Sequence, residues 1–291
     1  MQNPINDNEF SKIRDYVAKI SGIVIPPEKA YLIETRLYKL MLDAGVESFN
    51  DLYNKVILPG NTEIAQKIIN AITINETFWF RDAVLWDAFE REILPGFVQS
   101  LLSGKKAKIR IWSAAASTGQ EAYSIAMCID NYLKQNHITE IDLSSFEIFA
   151  TDISSRVLDI AKTGRYDKIS MTRGINDKYK TAYFKTNGSA WDLEPGIKNA
   201  VNFGHFNLMD EYKLHGKFDI IFCRYVLIYF PNIVKMQIIE KMYDSLNPGG
   251  ILFTGNYVLY ELLRNTFNVN EYENLTYYTK GSFRLTFSTD S

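Results

Sequence analysis

The chain predicts an α/β fold: a parallel β-sheet covered on both faces by helices, with a small all-α N-terminal domain and an inserted antiparallel β-subdomain. Three observations carry this reading. After about residue 107, short apolar β-rich runs alternate with helical patterns, and near-continuous apolar strands need cover on both faces. Residues 1–75 show helical periodicity alone. Around 181–201 the alternation gives way to YFKTNGSAWDLEPGI, where Asn187-Gly188 between apolar runs signals a hairpin.

Phe10, Ile13, Val17 and Ile20 recur at helical spacing, Gly22 ends that pattern, and Pro26-Pro27 opens the next. Leu32, Leu37, Leu40 and Met41 mark a second helix closed by Gly45. Further helices are predicted over 48–56 and 62–72. In the second part, strands are predicted at 109–113, 146–152, 218–224 and 250–256, and helices at 120–133, 154–164 and 232–246. The runs LTYYTK and FRLTFS around Gly281-Ser282 predict a closing antiparallel hairpin at the sheet edge. The chain thus divides into a helical N-terminal domain, 1–75, and a second domain, 76–291, with the β-subdomain at about 181–201.

Composition bounds the function. The 291 residues suffice for one large domain or one with a small companion. Hydrophobic residues at 46% and charged residues at 23% describe a soluble globular protein. A net charge of −2 argues against a nucleic-acid binder, whose footprint is a basic excess. No apolar window reaches the length of a membrane span, and MQNPINDNEF lacks the regions of a signal peptide. A cytoplasmic protein with no membrane insertion is expected, and, with no evident coiled coil, a monomer. Cys128 and Cys223 sit in apolar runs as small buried hydrophobes, and His137, His205 and His215 show no metal-ligand spacing, so no metal is expected.

The first strand–helix turn, Ala114 to Gly119, contains small residues only. Such a turn lets backbone approach a ligand at the carboxyl end of a strand. The G-x-G-x-x-G fingerprint and the P-loop lysine are absent, which disfavours a dinucleotide or pyrophosphate ligand and an oxidoreductase. The second strand ends in Asp152, placed to accept both hydroxyls of a ribose, while Ser154 is available to cap the following helix. Glu121, in the first turn of its helix, reads either as a charge favoured by the helix dipole or as the partner of a ligand cation. Arg81 lies among Phe78, Trp79 and Phe80 and needs an anionic partner, either a ligand or an interdomain carboxylate. The strand at 218–224 ends in Arg224 and continues into a turn with Tyr229, and residues after its carboxyl end face the same crevice, although packing alone also accounts for a tyrosine there.

Taken together, the strings INETFWFRD, RIWSAAASTGQEAYSIAM, ATDISSRVLDIAKTGRY, FNLMD, FDIIFCRYVLIYF and LNPGGILFTGN resemble the chemotaxis-receptor methyltransferase (CheR) family in sequence and order. SGIVIPPEKAYLIETRLYKL resembles its small N-terminal domain. The resemblance implies a Rossmann-like class I methyltransferase sheet that transfers the methyl of S-adenosylmethionine to receptor glutamates, leaving S-adenosylhomocysteine. It implies that Asn75, Thr77, Arg81 and Ala115 line the cofactor pocket, and that Glu121 sits by the cofactor's amino-acid end. Asp152 would hold the ribose, Asn207 and Leu208 would flank the adenine, and Tyr225 with Val226 would close the pocket. Arg81 and Tyr229 would orient the glutamate carboxylate. The partner implied is the cytoplasmic domain of methyl-accepting chemotaxis receptors.

The sequence departs from the family pattern in places. Tyr225 stands where the family usually has Asn, Gln120-Glu121-Ala122 where it has Glu-Glu-Pro, and Gly255-Asn256-Tyr257-Val258 where it has Gly-His-Ser-Glu. The second helix offers only Arg36 and Lys39 where the family is often arginine-rich. These departures keep open a second reading, a related protein that binds S-adenosylmethionine or S-adenosylhomocysteine as a non-catalytic signalling module.

Overall fold

The computed structural model describes residues 5–212, 216–255, 263–264 and 266–281. Four helices open the chain: α1 (Asp7–Ser21), α2 (Ala30–Asp43), α3 (Phe49–Val56) and α4 (Thr62–Ile72). A reciprocal capping box between Asn6 and Glu9 starts α1, and Gly22, left-handed at φ 73°, ends it. Ile13, Val17, Ile33, Leu37, Leu52 and Ile68 close a core of their own. Gly22 is also a point of close approach to the rest of the molecule. A Cβ there would lie 2.7 Å from Met209 Sδ and 2.8 Å from the Phe230 ring.

The sequence pattern assigns nothing to residues 83–102. There α5 (Ala83–Ala88) passes through a π-helical turn (Phe89–Ile93) into α6 (Leu94–Leu102). The alternating region follows: β1 (Ile109–Ala114), α7 (Gln120–Gln135), β2 (Phe146–Asp152), α8 (Ser155–Thr163), β3 (Arg165–Asp167), α9 (Asp177–Tyr183), β4 (Phe184–Asn187), β5 (Ala190–Leu193) and α10 (Pro195–Asn199). Then come β6 (Val201–His205), β7 (Phe218–Phe222), α11 (Asn232–Ser245), β8 (Leu246–Phe253), β9 (Asn268–Tyr272) and β10 (Leu275–Thr279).

The main sheet has seven strands in the order β6-β2-β1-β7-β8-β10-β9. β6 through β8 are parallel, and β10 runs antiparallel to both of its neighbours. Side chains alternate across the sheet. Ile109 and Ile111 join one core with Ile220 and Phe222. Trp112 and Ala114 join the other with Ile221 and Cys223. Both cysteines are buried, and burial raises both thiol pKa values. The chain order reverses direction between β1 and β7, which opens a crevice at their carboxyl ends.

The Asn187-Gly188 hairpin is present as β4 and β5, but the small sheet holds three strands, because β3 joins it from outside 181–201. The strand predicted over 218–224 stops at Phe222, so Arg224 lies in the turn beyond it. Of the closing hairpin predicted around Gly281-Ser282, the first run is β10, paired with β8 and β9. The second run, 283–288, lies outside the described residues.

Candidate active site

The crevice between β1 and β7 leads into a cavity of about 240 Å³. Asn75, Thr77, Arg81, Ala115, Glu121, Asp152, Asn207, Leu208, Tyr225, Val226 and Tyr229 all line it.

The β1–α7 turn forms its floor. Ala115 and Ser117 are both left-handed, at φ 58° and 51°, a conformation that costs a residue with a Cβ roughly 1–2 kcal/mol. The turn is tied down at three points. The Ala116 amide donates to Thr151 O at 2.9 Å, the Ser117 amide to Asp152 Oδ2 at 2.9 Å, and Ser117 Oγ to Asn75 O at 2.8 Å. The small residues seen in the sequence are therefore those that a strained, close-packed turn accepts.

Asp152 ends β2 and is 6% exposed. Its Oδ1 accepts the Ser154 amide at 2.9 Å. The expected cap differs in detail: Ser154 occupies the N-cap position of α8, but its hydroxyl makes no capping bond. It donates instead to Asn70 Oδ1 at 2.9 Å, linking β2 to α4. Each carboxylate oxygen of Asp152 thus takes one backbone N–H and keeps capacity for another donor.

Burial pushes the Asp152 carboxyl above the usual range, against the opposing pull of the Ser154 and Ser117 amides. The folded chain then holds this proton more tightly than the unfolded one. Ionisation here therefore lowers stability as pH rises from the ordinary value through the raised one. For a diol ligand the sign reverses, because the carboxylate alone accepts two hydroxyl protons. Affinity for S-adenosylmethionine is expected to fall as pH drops through the raised pKa, at a higher pH than an ordinary aspartate near about 3.9 would dictate. Calorimetric titrations from about pH 7.5 down to about pH 4 check this, and a flat affinity across that range would exclude it.

Arg224, with a side chain 2% exposed, gathers the acidic groups. Its Nη1 donates to Glu121 Oε2 at 2.8 Å, and its Nη2 to Asp82 Oδ2 at 2.6 Å and Arg81 O at 2.6 Å. Glu121 Oε1 accepts Ser113 Oγ at 2.8 Å. Glu121 thus faces the cavity with its charge balanced by a protein cation, a pairing between residues 103 apart in sequence.

Arg81 is the converse. Among the described residues its guanidinium makes no ion pair or hydrogen bond. It lies over the Tyr225 ring, 3.5 Å from Cζ to the centroid, and 5.3 Å from that of Phe78. The interdomain carboxylate considered from the sequence does not hold it. Tyr229 stands within its electrostatic reach, and burial raises the phenol pKa while Arg81 and Arg36 draw it down.

Asn207 faces the cavity too, but its amide is engaged elsewhere. Nδ2 donates to Ile20 O at 2.8 Å and Oδ1 accepts the Met209 amide at 3.0 Å. The sequence reading missed the remaining wall, which comes from the N-terminal helices: Ser21, Ile23, Val24, Pro26 and Arg36 line the same cavity. It is docked by the Asn207 bond and by the Val24 amide to Tyr229 O at 3.3 Å. An apolar GIVI run between two helices, where loops are ordinarily polar, was the available signal.

An open sheet with one reversed strand, a small-residue turn after β1 and a carboxylate at the end of β2 define a Rossmann-like S-adenosylmethionine-dependent methyltransferase. Residues 75–274 match the model of the CheR methyltransferase SAM-binding domain, and residues 8–73 that of the CheR methyltransferase all-alpha domain. The chain is 37% identical over 248 residues to chemotaxis protein methyltransferase Cher2 of Pseudomonas putida, covering 85% of this chain and 88% of that protein. It is 38% identical over 248 residues to chemotaxis protein methyltransferase 1 of Pseudomonas aeruginosa, with the same coverage. Against chemotaxis protein methyltransferase 2 of Vibrio cholerae the identity is 30% over 278 residues, 95% of this chain and 94% of that protein. The chain belongs to the CheR methyltransferase family, and its cofactor is S-adenosylmethionine. Among the described residues no helix is long and apolar enough to cross a membrane, and no cluster of metal-ligating side chains occurs.

Proposed function

We propose that this protein methylates glutamate side chains in the cytoplasmic domain of methyl-accepting chemotaxis receptors, acting in the cytoplasm and releasing S-adenosylhomocysteine. The observation that carries the reading is the Arg81 guanidinium, open to the cavity and without an acceptor among the described residues. A cation so placed suits a carboxylate arriving from outside.

The lining fits the cofactor. Asp152 can accept the ribose hydroxyls, the Ala115–Ser117 backbone allows close approach, and Phe206 with Leu208 offers an apolar face to a base. S-adenosylmethionine supplies an electrophilic sulfonium methyl. A glutamate carboxylate, with an ordinary pKa of about 4.3, arrives ionised and needs no base. In keeping with this, no histidine lines the cavity among the described residues. With the cofactor held by these residues, one carboxylate oxygen would take its methyl, the carbon–sulfur electron pair being left on sulfur and no proton moved. Arg81 and Tyr229 orient the carboxylate while the aromatic walls exclude water, so rate comes from placement. In this reading residues 76–291 hold the cofactor, and residues 1–75 complete its pocket and face the receptor.

The test is transfer of labelled methyl from S-adenosylmethionine to purified receptor cytoplasmic domains, read as alkali-labile ester. Arg81→Ala is expected to lower kcat/KM for the receptor about a hundredfold, the scale of one lost charge-assisted bidentate contact. Alkali-stable product, or full activity in Arg81→Ala, would sink the reading.

A further inference from the structure

We infer that Tyr225 is a positioning residue for Arg81: its ring sets the plane of the guanidinium, and its hydroxyl occupies the neighbouring carboxylate that would otherwise neutralise it. The inference rests on the reading that Arg81 receives the substrate carboxylate.

Tyr225 is left-handed, at φ 57°. A bulky aromatic residue is an outlier there, whereas Asn enters that region readily. Such strain persists where surrounding contacts over-determine it, and Tyr225 is held on three sides. Its hydroxyl donates to Asp82 Oδ2 at 2.5 Å. One ring face meets the Arg81 guanidinium at 3.5 Å. The ring also packs against Gly255, where a Cβ would come within 3.1 Å of it.

Asp82 explains why the hydroxyl matters. It follows Arg81 in sequence and is a carboxylate available in the same turn. Its Oδ2 is instead taken twice, by Tyr225 at 2.5 Å and by Arg224 Nη2 at 2.6 Å. Asp82 is itself left-handed, at φ 66°, so backbone geometry helps hold its side chain in that cluster. Stacking on a ring face restrains a guanidinium without using its N–H donors, which lie in its own plane. Arg81 is thereby fixed in orientation while its donors stay available for a carboxylate.

The test compares Tyr225→Phe, Tyr225→Asn and Arg81→Ala, alone and combined, in the full-length chain at saturating S-adenosylmethionine. Tyr225→Asn suits the left-handed backbone and is expected to melt no lower than the parent. It is expected to lower kcat/KM for the receptor roughly thirtyfold, the scale of a desolvated cation–π contact. Tyr225→Phe keeps the ring but releases Asp82 Oδ2 from the hydroxyl, and should recover only part of that loss. Placed on Arg81→Ala, Tyr225→Asn should cost less than about twofold more, because its partner is gone. Equal loss with and without Arg81, or a harmless Tyr225→Asn, would overturn the inference while leaving the role of Arg81 intact. A fully active Arg81→Ala would overturn both.

Discussion

Asp152→Ala is expected to weaken S-adenosylmethionine binding about a hundredfold. A carboxylate accepting two ribose hydroxyls makes two charge-assisted hydrogen bonds, each worth about 1.5–3 kcal/mol, and about 3 kcal/mol in total gives that factor. A second loss accompanies it. The Ser117 and Ser154 amides both donate to this side chain, so the left-handed turn and the start of α8 lose an anchor together. Asp152→Asn should recover little, since an amide nitrogen cannot accept from either N–H. Isothermal titration reads the result directly, and a shift below about threefold would mean that the ribose lies elsewhere.

Arg224→Ala is expected to destabilise the fold by about 3–5 kcal/mol, the range for breaking a buried ion pair from one side. The variant leaves Glu121 and Asp82 without their cation, and the Arg81 carbonyl without its donor. For a chain of this size the melting temperature should fall by about 10 °C. Adding Glu121→Gln to Arg224→Ala should restore part of the loss by removing one stranded charge. Thermal melts of both variants check these statements, and an unchanged melting temperature would show that the cluster contributes nothing to stability.

The sheet-building runs were legible because their signals are local. β1, β2 and α7 carry apolar periodicities that do not depend on their neighbours, and the small residues after β1 announced a tight turn. β6 was not legible: VNFGH is short and only partly buried, and it becomes a strand by lying beside β2. β3 and β9 are similar, with three and five residues given order by antiparallel partners. The cavity residues were found through motif resemblance and the crevice rule, while their partnerships were not. Pairing Arg224 with Glu121 and Asp82 requires knowing that residues more than 100 positions apart meet. Whether Arg81 or Arg224 would hold the carboxylates was undecidable from composition, since both arginines sit in aromatic, apolar contexts.

With Ser21 through Arg36 contributing a wall, a cofactor bound in this cavity would be a shared ligand of two separately cored groups of helices and strands. By linkage, anything that binds their assembled form alone strengthens their association by the same free energy that their association adds to its binding. At a hundred times its dissociation constant, S-adenosylmethionine would add about 2.7 kcal/mol to the docking of the N-terminal helices. A cell's cofactor supply would then set how firmly the N-terminal helices are held in place.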